Sequence, residues 1–315
     1  MAASVWPRAL RAGSPLPPQC LDFHFHGGLE RPANLKLDQW VDLARDSRRT
    51  PPAGIAVSKE EWAKRPESVG RSCYLIVDHL EFYRPAQAQT TLKYIPTPRY
   101  PLAPEGQKRF VAEVEALRKS RKDLIIFSGW EALETDVDTG LEWSAMEMVD
   151  CIGWHMDKPP DAGHYVQRAK QIRDVQRKLE KPVILYHPFR QPTPQPDETV
   201  ATLRRLGREH QKQLIDILGD SSVYLEINLS VLLQYWPKPA RRQAMIEDFQ
   251  PLAEAGLEFT VGSDAHRIPD IEYHEPERYL PELGIHPRQV TSIVGDLLAR
   301  ARAEAIPWQL RNTLR

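Results

Sequence analysis

The sequence predicts an α/β fold on a parallel sheet, and three observations carry that expectation. Short apolar runs alternate with amphipathic, helix-patterned stretches through most of the 315 residues. Six of the seven apolar runs end in a histidine or a carboxylate. No Gly/Ser linker divides the chain. Alternating strand and helix requires crossover connections, which give parallel neighbours covered by helices. Seven or eight such units in roughly 240 residues suit a closed barrel, with an open doubly wound sheet as the other arrangement.

The first strand is expected at 21–26, "LDFHFH". Alternate residues of a strand face the same way, so Asp22, His24 and His26 should share one face, with Phe23 and Phe25 on the other. Further strands are expected at 74–79, 124–130, 149–155, 183–187, 223–228 and 258–263. Between them, "EGQKRFVAEVEALRKS", "AGHYVQRAKQIRDVQRKLE", "ETVATLRRLGREHQKQLIDILG" and "ARRQAMIEDFQPLAEAG" repeat apolar residues at three- and four-residue steps, as amphipathic helices do. "SKEEW" at 58–62 has the form of a capping box and marks a further short helix. Gly256 should end its helix as a left-handed cap. The Pro-rich stretches "YIPTPRYPLAP" and "HPFRQPTPQPDE" read as loops over the strand ends. Residues 1–20 form an extended, Pro-rich lead-in, and 21–315 form a single barrel domain that includes the C-terminal helices.

The formal net charge is -1, without long runs of one sign, so there is no electrostatic footprint for nucleic acid or an anionic membrane. No segment approaches the roughly 18 apolar residues of a membrane span. The N-terminus lacks the uninterrupted apolar stretch of a signal peptide; an organelle transit segment stays open by composition, and the cytoplasm is the default expectation. Cys20, Cys73 and Cys151 are too few and too scattered for a disulfide framework or a zinc motif, and read as thiols in a reducing compartment.

The chemistry gathers at the strand ends. In chain order these supply His24 and His26, then His79, Glu131, His155 and His187, and finally Asp264 and His266. In barrels and open α/β sheets alike, the C-terminal edge is where active sites form. Six of the ten histidines fall there, while His164, His210, His274 and His286 lie in charged or polar surroundings and are assigned no chemistry. Imidazoles and carboxylates crowded into an apolar setting need a positive partner. Divalent cations meet that need, and six His with two carboxylates exceed one tetrahedral ion, so two or three ions are implied.

These residues resemble the polymerase and histidinol phosphatase (PHP) family of metal-dependent phosphoesterases. The ordered series "DFHFH", "VDH", "GWE", "DCIGWH", "ILYHP", "LEIN" and "GSDAH" carries the resemblance over about residues 21–270. It implies a distorted, TIM-like (β/α)7 barrel and two or three ions of zinc, manganese or iron type. It further implies that His24, His26, Glu131 and Asp264 hold one ion. Glu131 would bridge to a second held by His155 and His187, with a third at His79 and His266. The family usually supplies another His or Asp five or six residues after the first His pair, where this chain has Arg31 and Pro32; Glu30 is the nearest substitute.

The expected reaction is hydrolysis of a small-molecule phosphate ester. Asp264, His266 and His79 are the catalytic candidates, with His266 or His79 as acid toward the leaving group. Arg190 and Arg267 are candidates for a phosphate clamp. Asp22 and Asp78, each preceding or near a ligand, read as orienters of imidazole rings. Asn228 lines the pocket or makes a structural hydrogen bond, and Trp130, Trp154 and Tyr186 read as barrel packing. The alternative is an amidohydrolase-type enzyme acting on C–N, ester or C–C bonds, which also uses His-x-His after its first strand. A nucleic-acid exonuclease and a non-catalytic metal scaffold rank below these.

Overall fold

A computed structural model describes residues 16–32, 34–46, 71–84, 101, 103–133, 143–155, 161–190, 198–267, 270 and 275–305. Seven strands form one sheet: β1 (Leu21–His26), β2 (Cys73–His79), β3 (Ile125–Ala132), β4 (Cys151–His155), β5 (Val183–Tyr186), β6 (Val223–Asn228) and β7 (Phe259–Gly262). They lie in sequence order, every neighbouring pair parallel. β7 returns to β1, where Asp264 N donates to His24 O at 2.8 Å and Phe25 bridges to Ala265. The result is a nearly closed (β/α)7 barrel of TIM-like kind. The open doubly wound alternative is thereby excluded.

The strands are buried along almost their whole length, as expected when helices cover a parallel sheet. The covering helices include α1 (Leu37–Asp46), α2 (Glu105–Ser120), α3 (Trp143–Glu147), α4 (Ala162–Leu179), α5 (Val200–Leu203), α6 (Arg208–Leu218), α7 (Leu229–Tyr235), α8 (Pro239–Glu254), α9 (Pro276–Tyr279) and α10 (Pro287–Ala305). Trp130 sends its indole N–H to Ala145 O and packs on Phe110 of α2, which confirms it as a packing residue. Gly256, at φ +83°, ends α8 in the expected left-handed turn, with Leu257 N donating to Leu252 O. Cys20, Cys73 and Cys151 are buried thiols. The helix expected at 58–62 lies outside the described residues, as do 1–15 and most of the Pro-rich loops.

Two expectations are corrected. The single helix read from "ETVATLRRLGREHQKQLIDILG" is two, α5 and α6. The buried Asp248 carboxylate accepts hydrogen bonds from Arg205 N (2.8 Å) and Leu206 N (3.0 Å), which rewards a non-helical backbone between them. The strict alternation along β1 is also broken. Register shifts between Asp22 and Phe25, the signature of an extra residue in the ladder. Phe23 therefore meets Phe127, which shares a face of β3 with Glu131, while Phe25 stacks on Trp40 of α1 at 5.2 Å. The two phenylalanines do not share a face.

At the β1–β7 closure, the buried Asp22 carboxylate takes Arg71 Nη1 at 2.7 Å and Ser263 N at 2.9 Å. Burial pushes the Asp22 carboxyl above its ordinary range, against the opposing pull of Arg71. Removing the guanidinium would leave that carboxyl buried without its counter-charge. Arg71→Ala is expected to destabilise the fold by about 3–5 kcal/mol, read from the urea midpoint; an unchanged midpoint would refute this account of the closure.

Candidate metal centre

The parallel register sets the cluster at the C-terminal rim. His79 of β2 is the ladder partner of Glu131 of β3, so an imidazole and a carboxylate stand side by side before any side chain is considered. Glu131, 1% exposed, is the hub. Its Oε2 has the Nε2 atoms of His24, His26 and His79 at 3.1, 3.1 and 3.2 Å. Its Oε1 faces His155 Nε2 at very short range and His187 Nε2 at 3.5 Å. Asp264 stands on the open side, with Oδ1 at 3.7 Å from His24 Nε2 and 3.5 Å from His26 Nε2. His266 Nδ1 lies 3.6 Å from Asp264 Oδ1, so all eight residues expected as metal ligands are brought to one place.

Two backbone features aim these groups. His187 and Asp264 have φ of +53° and +55°, the left-handed region that side chains rarely adopt. Such a conformation costs of order 1–3 kcal/mol and persists only where the surroundings enforce it. At His187 the turn breaks strand alternation, so Tyr186 and His187 both reach His24, with ring centroids 3.8 and 5.2 Å away. Tyr186 is therefore more than packing, since it stacks on a cluster imidazole. Gly262 on β7 leaves the space they need: a Cβ there would fall 2.3 Å from His24 Cβ.

The donor set fits divalent cations. A carboxylate oxygen has about two lone-pair sites, yet three imidazole nitrogens crowd Glu131 Oε2, and two of these, His24 and His26 Nε2, lie only 3.1 Å apart. The buried His26 Nδ1 and Glu131 Oε1 find no hydrogen-bond partner of ordinary geometry. Several imidazoles are also oriented to present Nε2. Nδ1 of His24 lies 2.6 Å from Glu226 Oε1, that of His79 lies 3.1 Å from Glu81 Oε1, and that of His266 lies 2.9 Å from Asp264 O. An acceptor there holds the ring proton on Nδ1 and turns the Nε2 lone pair inward. His187 differs: Asn228 spends its Oδ1 on Val231 N, so its amide N–H lies toward His187 Nδ1 at 3.1 Å. Four overlapping groups can hold an ion: His26–Glu30–His79–His266, His24–His26–Asp264, His24–His187–Glu226 and Glu131–His155–His187.

Glu30 and Glu226 deserve separate notice because the strand-end pattern did not supply them. Glu30 Oε2 sits 2.7 Å from His266 Nε2 and 3.2 Å from His79 Nε2. Arg31 instead donates to Gly27 O and pairs with Glu113, bracing the loop that carries Glu30. Glu226 is buried and alternates with Asn228 on one face of β6; that two-residue spacing in "LEIN" was the available signal. Neither Asp22 nor Asp78 bonds an imidazole. Asp78 accepts from Leu29 N, Tyr83 OH and the backbone N of His79, and burial raises its carboxyl to about 6. It fastens the β1 loop to β2. Arg267 is exposed and paired with Asp270, away from the cluster; Arg190 is exposed beside His187. A cavity of about 360 Å³ beside Pro17, Pro18 and the start of α10 contains none of these groups.

No family model matches the chain, and no curated protein matches it. Its class is therefore set by fold and site: an α/β barrel of seven parallel strands whose rim carries a buried imidazole–carboxylate cluster suited to metal. Among the described residues, no helix is long and apolar enough to cross a membrane.

Without cations the cluster holds protons. Burial pushes His24 down, but Glu131, Glu226 and Asp264 outweigh it and leave the ring well above its ordinary range; His79 is raised the same way by Glu131 and Glu30. Burial pushes Glu131 up, but the surrounding histidines, His155 first, hold it well below the usual carboxylate range. Ligation requires neutral imidazoles, so ions must displace these protons. Apparent Zn²⁺ affinity, measured by chelator competition between about pH 6 and pH 9, is expected to rise with pH and to be accompanied by proton release. Affinity independent of pH would contradict this.

Proposed function

We propose that the chain is a metal-dependent phosphoesterase of the PHP kind, acting on small-molecule phosphate esters. The observation that carries the reading is the Glu131 carboxylate set between two sets of imidazoles, His24, His26 and His79 on one oxygen and His155 and His187 on the other. Asp264 completes the first set, and Glu30 with His79 and His266 forms an outer one. Two or three zinc, manganese or iron ions held there would act as Lewis acids and lower the pKa of bound water from about 15.7 to about 7.

The chain's own groups have distinct tasks in this reading. Glu131 ties the sets together, giving one oxygen to each, and would fix the spacing between the two sets of groups that hold the ions. His24, His26 and Glu131 are sealed from solvent, whereas His155, Asp264, Glu30 and His266 are 19%, 18%, 22% and 30% exposed. Substrate therefore approaches along the His155–His266 side. His266, the most open imidazole, is the best placed to give a proton to a departing alcohol when not engaged as a ligand. Arg190, not Arg267, remains the candidate for gripping the phosphate.

An amidohydrolase-type reading is less well supported, because seven strands rather than eight close the sheet and His266 follows Asp264 beside Glu30. The test is elemental analysis of the purified protein, followed by assays on p-nitrophenyl phosphate, a panel of phosphomonoesters and phosphodiesters, and a lactone and amide panel. The expected result is metal-dependent release of phosphate or a phosphomonoester, abolished by EDTA. Glu131→Gln is expected to lose at least one equivalent of metal and to lower kcat/KM at least about a hundredfold, with the fold retained. Turnover of only the carbon substrates by the loaded protein would reverse the assignment.

A further inference from the structure

We infer that Glu226 is the positioning residue of the cluster, fixing His24 so that its Nε2 is the ligating nitrogen and locking the turn that presents His187. This rests on the metal-holding part of the reading above and goes beyond it: the His24–His187–Glu226 group is assigned to positioning and not to an ion, since both Glu226 oxygens are already engaged by His24 Nδ1 and His187 N. Its two oxygens are divided between the two sets. Oε1 lies 2.6 Å from His24 Nδ1, and Oε2 accepts from His187 N at 2.7 Å. The first contact sets a ring; the second holds a backbone whose φ is +53°.

Every neighbour that points at this carboxylate is a donor. Besides His24 and His187, the Asn228 amide nitrogen lies 3.3 and 3.4 Å from its two oxygens. Asn228 cannot reverse its amide without losing the bond from Val231 N at the start of α7. The space is also closed to alternatives, because a side chain at Gly262 would come within 2.8 Å of Glu226 Oε1. Glu226 is fully buried, so no water can replace its oxygens.

An amide therefore makes an informative substitution. Gln at 226 has nearly the same shape but only one acceptor, and its NH₂ must face a donor. Either His187 N loses its partner, or the His24 ring accepts at Nδ1 and carries its proton on Nε2, where it blocks ligation. The corresponding change at a carboxylate behind a metal-bound histidine typically costs 10–100-fold in affinity.

The experiment compares wild type and Glu226→Gln for Zn²⁺ affinity and stoichiometry by chelator competition, with thermal melting to establish folding. The expected result is a folded variant binding Zn²⁺ about 10–100-fold more weakly. Equal affinity and stoichiometry in a folded variant would overturn the inference. A second measurement does not depend on the variant folding. Long-range ¹H–¹⁵N correlation spectra of the Zn²⁺-loaded wild type, assigned with His24→Gln, should place the His24 proton on Nδ1; a proton on Nε2 overturns the inference. Failure of wild type to bind Zn²⁺ sinks both this and the metal reading. Uptake without phosphoester turnover sinks only the phosphoesterase assignment.

Discussion

The structure depends on one buried carboxylate. Glu131 brings a negative charge to a place without solvent, and that is tolerable only because imidazoles from four other strand ends surround it. Taking a carboxylate out of water is costly unless it is paired and hydrogen-bonded, and the cost falls on whichever partner is removed. The requirement runs in both directions. Five imidazoles at that spacing need Glu131 as much as Glu131 needs them, and the convergence of nitrogen and oxygen donors on one place is what suits the site to cations.

Barrel geometry makes this crowding possible at all. Residues 24 and 264 are far apart in sequence, yet Asp264 N donates to His24 O because β7 closes on β1. Parallel order places every strand's C-terminal end at one rim, so side chains separated by dozens of residues converge without any long loop to carry them. The irregularity in β1 belongs to the same design: an extra residue between Asp22 and Phe25 keeps Phe25 against α1 while His24 and His26 reach Glu131. The left-handed residues His187, just after β5, and Asp264, two residues after β7, likewise bring their side chains together at one rim.

Much of this was legible in the sequence because strand ends are written locally. An apolar run stopping at His or Asp states its position and its chemistry together, and the seven runs at 21–26 through 258–263 each correspond to an observed strand. What was not legible depended on partners distant in sequence. The break between α5 and α6 comes from Asp248, some forty residues later. Asp78 adjoins His79, and Asp22 stands two residues before His24, but their carboxylates turn to Leu29 and Tyr83 or to Arg71 and Ser263. Adjacency in a strand sends Asp78 away from the face of His79, and the buried Arg71 claims Asp22, so sequence proximity to a ligand is weak evidence for contact with it. Glu226 shows the converse, an acid with no histidine beside it in the chain that nonetheless touches one.

The gradient of exposure across the cluster carries the final step. The groups nearest the barrel axis, His24, His26, Glu131 and Glu226, are sealed, and their geometry is fixed by packing, by Tyr186 stacked on His24 and by the absence of a side chain at Gly262. The groups facing out, His155, Asp264, Glu30 and His266, belong to strand ends and loops and are partly exposed. The cluster thus has an inner wall closed to water and an outer one open to it. The inner wall sets the spacing of charge, which water would otherwise screen, and the outer wall is the side from which a molecule can reach the cluster. Electrostatic preorganisation of this kind is effective because the inner groups need not reorganise as charge develops. The chain accepts strain at His187 and crowding at Glu131 so that the inner wall cannot relax.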